Sequence, residues 1–392
     1  MRKSRLPKGG TNLFQQIKMM CAKATDNCQT LYKLSIGQPV GPAITEARIA
    51  AAIAVLSDQE SMHEYQDNGS PGVSEFAARF IQAHVRFYLA KTDLACLPIP
   101  GIKPMLGLIP LACGHHINSV RVLSTTRPGY PTPADWCSYL GCEQYPAELK
   151  PENEFLFDPR VIDFGDLDLI MLNYPHNPTA KVANKEWLKQ VCQYASEKNV
   201  RVFNDAAYSI LAYDPDHCPL AEVAVDFPDL SWAEAYSASK AGNFTGWRVG
   251  AIVGSPDFIG DIATIKGNTD SGFAAPMAAG VLHLYENHMD LIQGVRNTYQ
   301  RRADLLIQTL LNYGMRLAVK PGAGFFTLWQ TPNTAFGQEI TSSEQFNALM
   351  IEKTGIVGVH FEPFIRYAVC GDVEAMLPKI DEGFDAAQVS YN

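Results

Sequence analysis

Apolar positions fall into short runs separated by stretches of mixed polarity. Leu167-Asp-Leu-Ile-Met-Leu172 closes on a continuous apolar run, which predicts a buried strand, and a proline-rich turn follows it. Asn199-Val-Arg-Val-Phe203 predicts a second short, β-branched strand. From about residue 45 to residue 290 such strands alternate with helical spacing, which predicts a mostly parallel sheet covered by helices. Upstream, residues 13–24 place Leu13, Ile17 and Met20 on one helical face, and an extended loop runs on through Gly41-Pro42. Downstream, residues 279–311 predict one long helix, after which Arg316-Leu-Ala-Val, Gly324-Phe-Phe-Thr-Leu-Trp329 and Phe364-Ile-Arg-Tyr-Ala-Val369 predict strands.

The predicted fold class is therefore α/β. A large domain over 45–290, with its sheet sandwiched by helices, is joined to a smaller α/β domain built from both chain ends. Residues 1–44 supply an arm and part of that small domain, and residues 291–392 supply the rest.

Composition narrows the function. With 392 residues and 47% apolar content the chain can bury a sizeable core. A net charge of -9 argues against a nucleic-acid surface, and Arg2, Lys3, Arg5 and Lys8 read as a solvated tail. No apolar stretch follows that cluster, so it does not read as a secretory signal. The most apolar region, residues 94–113, is broken by four prolines and two glycines, which argues against a membrane span. Nine scattered cysteines without a Cys-x-x-Cys pair point to a reducing cytoplasm, not to disulfides or zinc. Cys137 and Cys142 read as small buried hydrophobes, and His115, His116 and His176 lack partners at metal-ligand spacing.

The chemistry concentrates in Ser237-Ala-Ser-Lys-Ala-Gly-Asn-Phe-Thr-Gly-Trp-Arg248. An amine such as Lys240 forms an imine with an aldehyde once desolvation or nearby positive charge supplies its neutral form. Ser237, Ser239 and Arg248 are suited to hold a phosphate. Asn177, in Asn173-Tyr-Pro-His-Asn-Pro-Thr179, lies just past the first predicted strand, and Asp205 and Tyr208, in Val202-Phe-Asn-Asp-Ala-Ala-Tyr208, lie just past the second. Ligands bind beyond the carboxyl ends of parallel strands, so these residues converge on one crevice. Pyridoxal 5'-phosphate fits the set. Asp205 would keep its ring nitrogen protonated, Tyr208 and Asn177 would donate to the ring's 3-oxygen, and Lys240 would shuttle the α-proton of an amino acid.

These segments resemble the class I/II aminotransferases, of the aspartate aminotransferase fold and pyridoxal phosphate fold type I. The likeness runs from about Leu13 to the end. It implies transamination between an amino acid and a 2-oxo acid by a ping-pong mechanism, with Lys240 carrying the internal aldimine, in a cytoplasmic homodimer with shared active sites. It implies further positions: Gly101, Ile102 and Lys103, in Pro100-Gly-Ile-Lys103, as backbone donors to the phosphate; Tyr130, in Arg127-Pro-Gly-Tyr-Pro131, stacked on the pyridine; Gly37, in Leu34-Ser-Ile-Gly-Gln-Pro39, lining the substrate carboxylate; Arg366 clamping it; and Tyr65 reaching the neighbour's phosphate.

Leu13-Phe14, Gly101-x-Lys103 and Phe244-Thr-Gly-x-Arg248 look most similar to LL-diaminopimelate aminotransferases. A neutral or aromatic amino-acid substrate is equally compatible. The pattern departs in several places. The loop before Arg366 is short, Ala180 replaces a glycine, and the spacing from Tyr65 to Gly69 lacks one residue, so Asp67 and Asn68 compete for an acidic position. Asp270-Ser-Gly272 stands where Phe-Asn-Gly is usual. Two alternatives share these residues: a carbon–sulfur lyase on the same fold, and a non-enzymatic amino-acid sensor.

Overall fold

The computed structural model describes residues 13–26, 29–162 and 165–391. The basic cluster from Arg2 to Lys8 lies outside them. A seven-stranded sheet forms the centre, in the edge-to-edge order Ala95–Ile99, Gly250–Gly254, Trp232–Ser237, Arg201–Asp205, Leu169–Leu172, Arg121–Ser124, Glu143–Pro146. All neighbouring strands pair in parallel except Gly250–Gly254, which runs antiparallel to both of its neighbours. Leu169–Leu172 and Trp232–Ser237 are buried at every position, because helices cover both faces of the sheet.

Helix Lys185–Lys198 shows how the sequence delimits such a cover. The Asn184 side chain accepts from Trp187 N at its start, and Asn199, at φ +54°, ends it in the left-handed region. Its Trp187, Leu188, Val191, Cys192 and Ala195 turn inward, an i, i+3/i+4 stripe.

Helix Leu13–Asp26 buries Ile17 and Ala24 in a satellite cluster with Ile351 and Val357. Tyr32–Lys33 then pairs in parallel with Ile356–Val357, so the two ends of the chain meet. A three-stranded antiparallel sheet places Phe364–Ala368 between Val359–Phe361 and Phe326–Gln330.

Two elements differ from expectation. The long helix is two, Ala275–Asn287 and Met289–Asn312, because His288 at φ -140° leaves helical geometry. Arg316-Leu-Ala-Val forms no strand and contributes only an isolated bridge, Leu317 to Trp329. Ala318 N still donates to Leu328 O, but Pro321-Gly322 then turns the chain away, where Gly322 O accepts from Tyr213 N and Asp214 N.

Candidate active site

Sheet direction dictates where the polar residues go. Leu169–Leu172, Arg201–Asp205 and Trp232–Ser237 end at the same edge, delivering Asn173 and Asn177, then Asp205 and Tyr208, then Ser237, Ser239 and Lys240. Gly250–Gly254 runs the opposite way, so its beginning lies at that edge and brings Arg248 there. Ala95–Ile99 reverses direction once more and delivers Gly101, Ile102 and Lys103. The result is a cavity of about 330 Å³.

Lys240 lies on its wall, its Nζ donating to Gly37 O at 3.2 Å. Desolvation holds the amine below its ordinary pKa; Cys370 and Asp205 oppose it, and Arg366 and Arg248 add smaller lowering fields. Asp205 is buried, and among the described residues its carboxylate's only hydrogen bond comes from Ala207 N at 3.2 Å. Burial raises its pKa to about 7 in spite of Lys240. Tyr208 is buried too, its phenol pushed upward by desolvation. Tyr130 forms another wall.

At the far end, Ser237 Oγ donates to Ser239 Oγ at 2.9 Å and accepts from Ser239 N. Arg248, at φ +57°, is held by a bond from its Nη1 to Thr245 O. Its guanidinium lies against Gly101, where an added Cβ would stand 2.4 Å from Nη2. Gly101 is itself at φ +82°, so a side chain there is excluded twice over.

Arg366 occupies the opposite end. It is 1% exposed, donates from Nη1 to Asn177 Oδ1 at 2.8 Å and from Nη2 to Ser35 O at 3.3 Å, and lies over the Phe326 ring. Its Nε has no partner, and no carboxylate pairs with it among the described residues. Burial lowers its pKa to about 10. A buried guanidinium without a counter-charge is costly, which calls for an anionic ligand. Gly37 makes room for one beside it: a Cβ there would come 3.6 Å from Arg366 Nη2.

The expected residues therefore meet in one place, with Tyr65 the exception. Tyr65 is 77% exposed and lines a separate surface groove with Trp247 and Arg248. Its neighbour Gln66 is pinned by a bond to Ser271 O, which turns the phenol outward, away from this chain's own cavity. Asn68 is occupied by Ala263 O, while Asp67 is exposed. Asp270 is occupied by the buried Lys266 at 2.6 Å and by Gly272 N.

Sequence reasoning left out four wall residues, Phe14, Asn173, Ala207 and Phe326. Asn173 lies in the same turn as Asn177, bonding Asp205 O and Asn177 N. Phe326 lies on the strand paired with that of Arg366. Phe14 lies off the buried face of its helix, a place where helical spacing carries no signal. His176 is a structural residue: it is buried, bonds Thr179 Oγ1 and Thr125 O, and desolvation lowers its pKa to about 4.

The residues fit pyridoxal phosphate on their own chemistry. A buried carboxylate lacks a cationic partner among the described residues, a desolvated amine lines the same cavity, and two hydroxyls and a guanidinium form a cradle closed by a left-handed glycine. The family model for class I and II aminotransferases matches residues 29–377, and the chain belongs to that family. It is a pyridoxal-phosphate-dependent aminotransferase. LL-diaminopimelate aminotransferase of Methanocaldococcus jannaschii is 35% identical over 277 residues, covering 69% of this chain and 64% of that one. The Syntrophobacter fumaroxidans protein of the same name is 30% identical over 382 residues, 94% of each. Among solved structures, substrate-bound BacF from Bacillus subtilis superposes with a TM-score of 0.84 at 22% identity, over 100% of this chain and 99% of that one. Thermus thermophilus aspartate aminotransferase gives 0.79 at 19%, over 96% and 100%. These comparisons do not favour the lyase alternative.

Proposed function

We propose that this enzyme transfers the amino group of LL-diaminopimelate, or a close analogue with charges at both ends, to or from a 2-oxo acid. The observation that carries this reading is the presence in one cavity of two cations without ion pairs among the described residues. Arg366 is buried at one end without a carboxylate, and Lys103 lies at the mouth, exposed and without an ion pair among the described residues. They suit the two carboxylates of such a substrate. Exposed Asp67, from a second copy of the chain, suits its distal ammonium. The names of the relatives support the same substrate.

When bound, pyridoxal phosphate supplies the aldehyde that takes up the amino group and a cationic ring that withdraws electrons from the substrate's Cα. Asp205 would hold the proton on the ring nitrogen, Tyr208 and Asn177 would donate to the ring oxygen, and Tyr130 would stack on the ring. Ser237, Ser239 and Arg248, with the backbone N–H groups of Gly101, Ile102 and Lys103, hold the phosphate. Arg366, steadied by Asn177, fixes the α-carboxylate beside Gly37 and so orients the Cα–H bond toward Lys240. Lys240, whose desolvation favours loss of its own proton, would accept that proton and return it on the other side of the transferred nitrogen.

The arm and the last hundred residues form a small domain, and 45–290 the large one. A homodimer completes the site, with Tyr65 directed to the neighbour's phosphate. Outward Ile49, Ile53 and Leu56, 56%, 65% and 83% exposed, support such an interface. No described helix is long and apolar enough to cross a membrane, and the described cysteines are free, which supports a cytoplasmic location.

The test is an absorbance titration of the purified holoenzyme with single amino acids and no oxo acid. LL-diaminopimelate should convert the cofactor band to the pyridoxamine form and release its oxo acid. Conversion by aspartate or aromatic amino acids alone would overturn the substrate, and ammonia release in place of an oxo acid would overturn transamination.

A further inference from the structure

Strand Trp232–Ser237 is buried at every position and leads straight to Lys240, yet one of its residues is a glutamate. Glu234 does not line the cavity. Its Oε1 accepts from Asn204 Nδ2 at 2.8 Å and from Leu220 N at 3.1 Å, and its Oε2 accepts from Ala221 N at 2.8 Å and from the Tyr236 hydroxyl at 2.6 Å. Burial raises its pKa, and those four bonds oppose the rise. Burying a carboxyl costs free energy that an apolar side chain would not. Of its four donors, one leads to the active site.

That donor is Asn204, the neighbour of Asp205. The ladder between Leu169–Leu172 and Arg201–Asp205 ends at the pair Leu172 and Asn204. Beyond it the first strand enters the turn that holds Pro175 and Pro178, which have no N–H to continue the pairing. Side-chain amides take over. Asn204 Oδ1 accepts from Tyr174 N and its Nδ2 donates to Tyr174 O, both at 2.9 Å. Because that N–H can only donate and that carbonyl only accept, the amide has one orientation, and its second N–H is the one Glu234 holds. In the reverse sense, Asn173 Nδ2 donates to Asp205 O at 2.9 Å, and Asn173 Oδ1 accepts from Asn177 N at 3.2 Å.

We propose that Glu234 is a positioning residue for the cofactor site: it immobilises Asn204, which together with Asn173 clamps the turn carrying Asn177 to the strand end carrying Asp205. The clamp fixes the spacing between the partners of the ring nitrogen and the ring oxygen. Asn177 Oδ1 is occupied by Arg366 Nη1, so Nδ2 is the atom left to face that oxygen. This role rests on the proposed donation from Asn177 to the ring oxygen. Loosening the clamp weakens that donor and leaves more negative charge on the oxygen, which raises the proton affinity of the bound cofactor.

The test is a pH titration of the bound cofactor's absorbance in the holoenzyme, read beside the urea midpoint of each variant. Asn177→Ala should raise the titration midpoint by about one pH unit, the worth of a hydrogen bond to a charged oxygen. Asn204→Ala should move it the same way by about half a unit, and the near-isosteric Glu234→Gln by about 0.3 units. Adding Glu234→Gln to Asn204→Ala should shift it no further, because the glutamate acts only through that amide. A midpoint that moves in Asn177→Ala but stays fixed in Asn204→Ala and Glu234→Gln, with only their urea stability lowered, would make Glu234 a structural group and overturn the proposal. Fully additive shifts would overturn it as well, since the glutamate would then act by another path. A midpoint unmoved in Asn177→Ala itself would instead remove the ring-oxygen role of Asn177, and the role of the clamp with it. Should Asn204→Ala fail to fold, Glu234→Gln set against Asn177→Ala decides in the same way.

Discussion

Burial pushes two residues in opposite senses, and both shifts are testable. Asp205 has its pKa raised from 3.8 to about 7 by desolvation in the cofactor-free chain. Below the unfolded value both states hold the proton and the group is neutral to stability. As pH rises toward 7 the unfolded carboxyl ionises while the buried one resists, so stability falls across that window by a few kcal/mol. Cofactor-free Asp205→Asn should therefore match the parent in urea midpoint near pH 4 and exceed it at pH 8. With pyridoxal phosphate bound the order should reverse, because the ring nitrogen supplies the cation that Asp205 lacks. Lys240→Ala should fold normally and lose turnover. For Arg366→Lys we expect KM for the amino donor to rise about tenfold or more, since an ammonium cannot reproduce the planar fork that bonds Asn177 and a carboxylate together. Steady-state kinetics on several donors checks this, and an unchanged KM would remove Arg366 from the substrate site.

Strand ends are the elements that made the site legible. An apolar run stopping at Leu172 and another at Phe203, each followed by polar residues, place Asn177 and Asp205 at a sheet edge before any coordinates exist. Arg248 and Gly101 were legible only through their motifs, since their place depends on one strand, Gly250–Gly254, running against its neighbours, and apolar runs carry no direction. The break at His288 was hidden because the helical spacing continues through it. Phe14 escaped because an outward aromatic on a helix looks the same whether it faces solvent or a cavity. The cradle around Arg248 makes its own prediction. Gly101→Ala adds a Cβ at φ +82° and 2.4 Å from Nη2, so the guanidinium or the loop must move. Fluorescence titration should show cofactor affinity reduced about tenfold, with global stability lowered by only about 1 kcal/mol.

At the scale of the whole molecule, the single chain leaves two features without occupation: the outward apolar side chains Ile49, Ile53 and Leu56, and the exposed ring of Tyr65. Helix Thr45–Val55 turns Ala47 and Ala51 inward, so residues 49 and 53 lie on its opposite face. Burying such a face on a second copy explains both features together, because Tyr65 follows the same segment and borders the groove that contains Arg248. Introducing charge there separates assembly from folding. The double variant Ile53→Asp, Leu56→Asp adds carboxylates at positions already exposed, so the protomer should keep its fold and near-parent unfolding midpoint while sedimenting as a monomer. Its activity should fall sharply, since each cavity would lack the neighbour's Tyr65. Tyr65→Phe should remain dimeric and weaken only the grip on the cofactor phosphate. A monomeric double variant with full turnover would mean that each chain completes its own site, and the outward position of Tyr65 would then need another explanation.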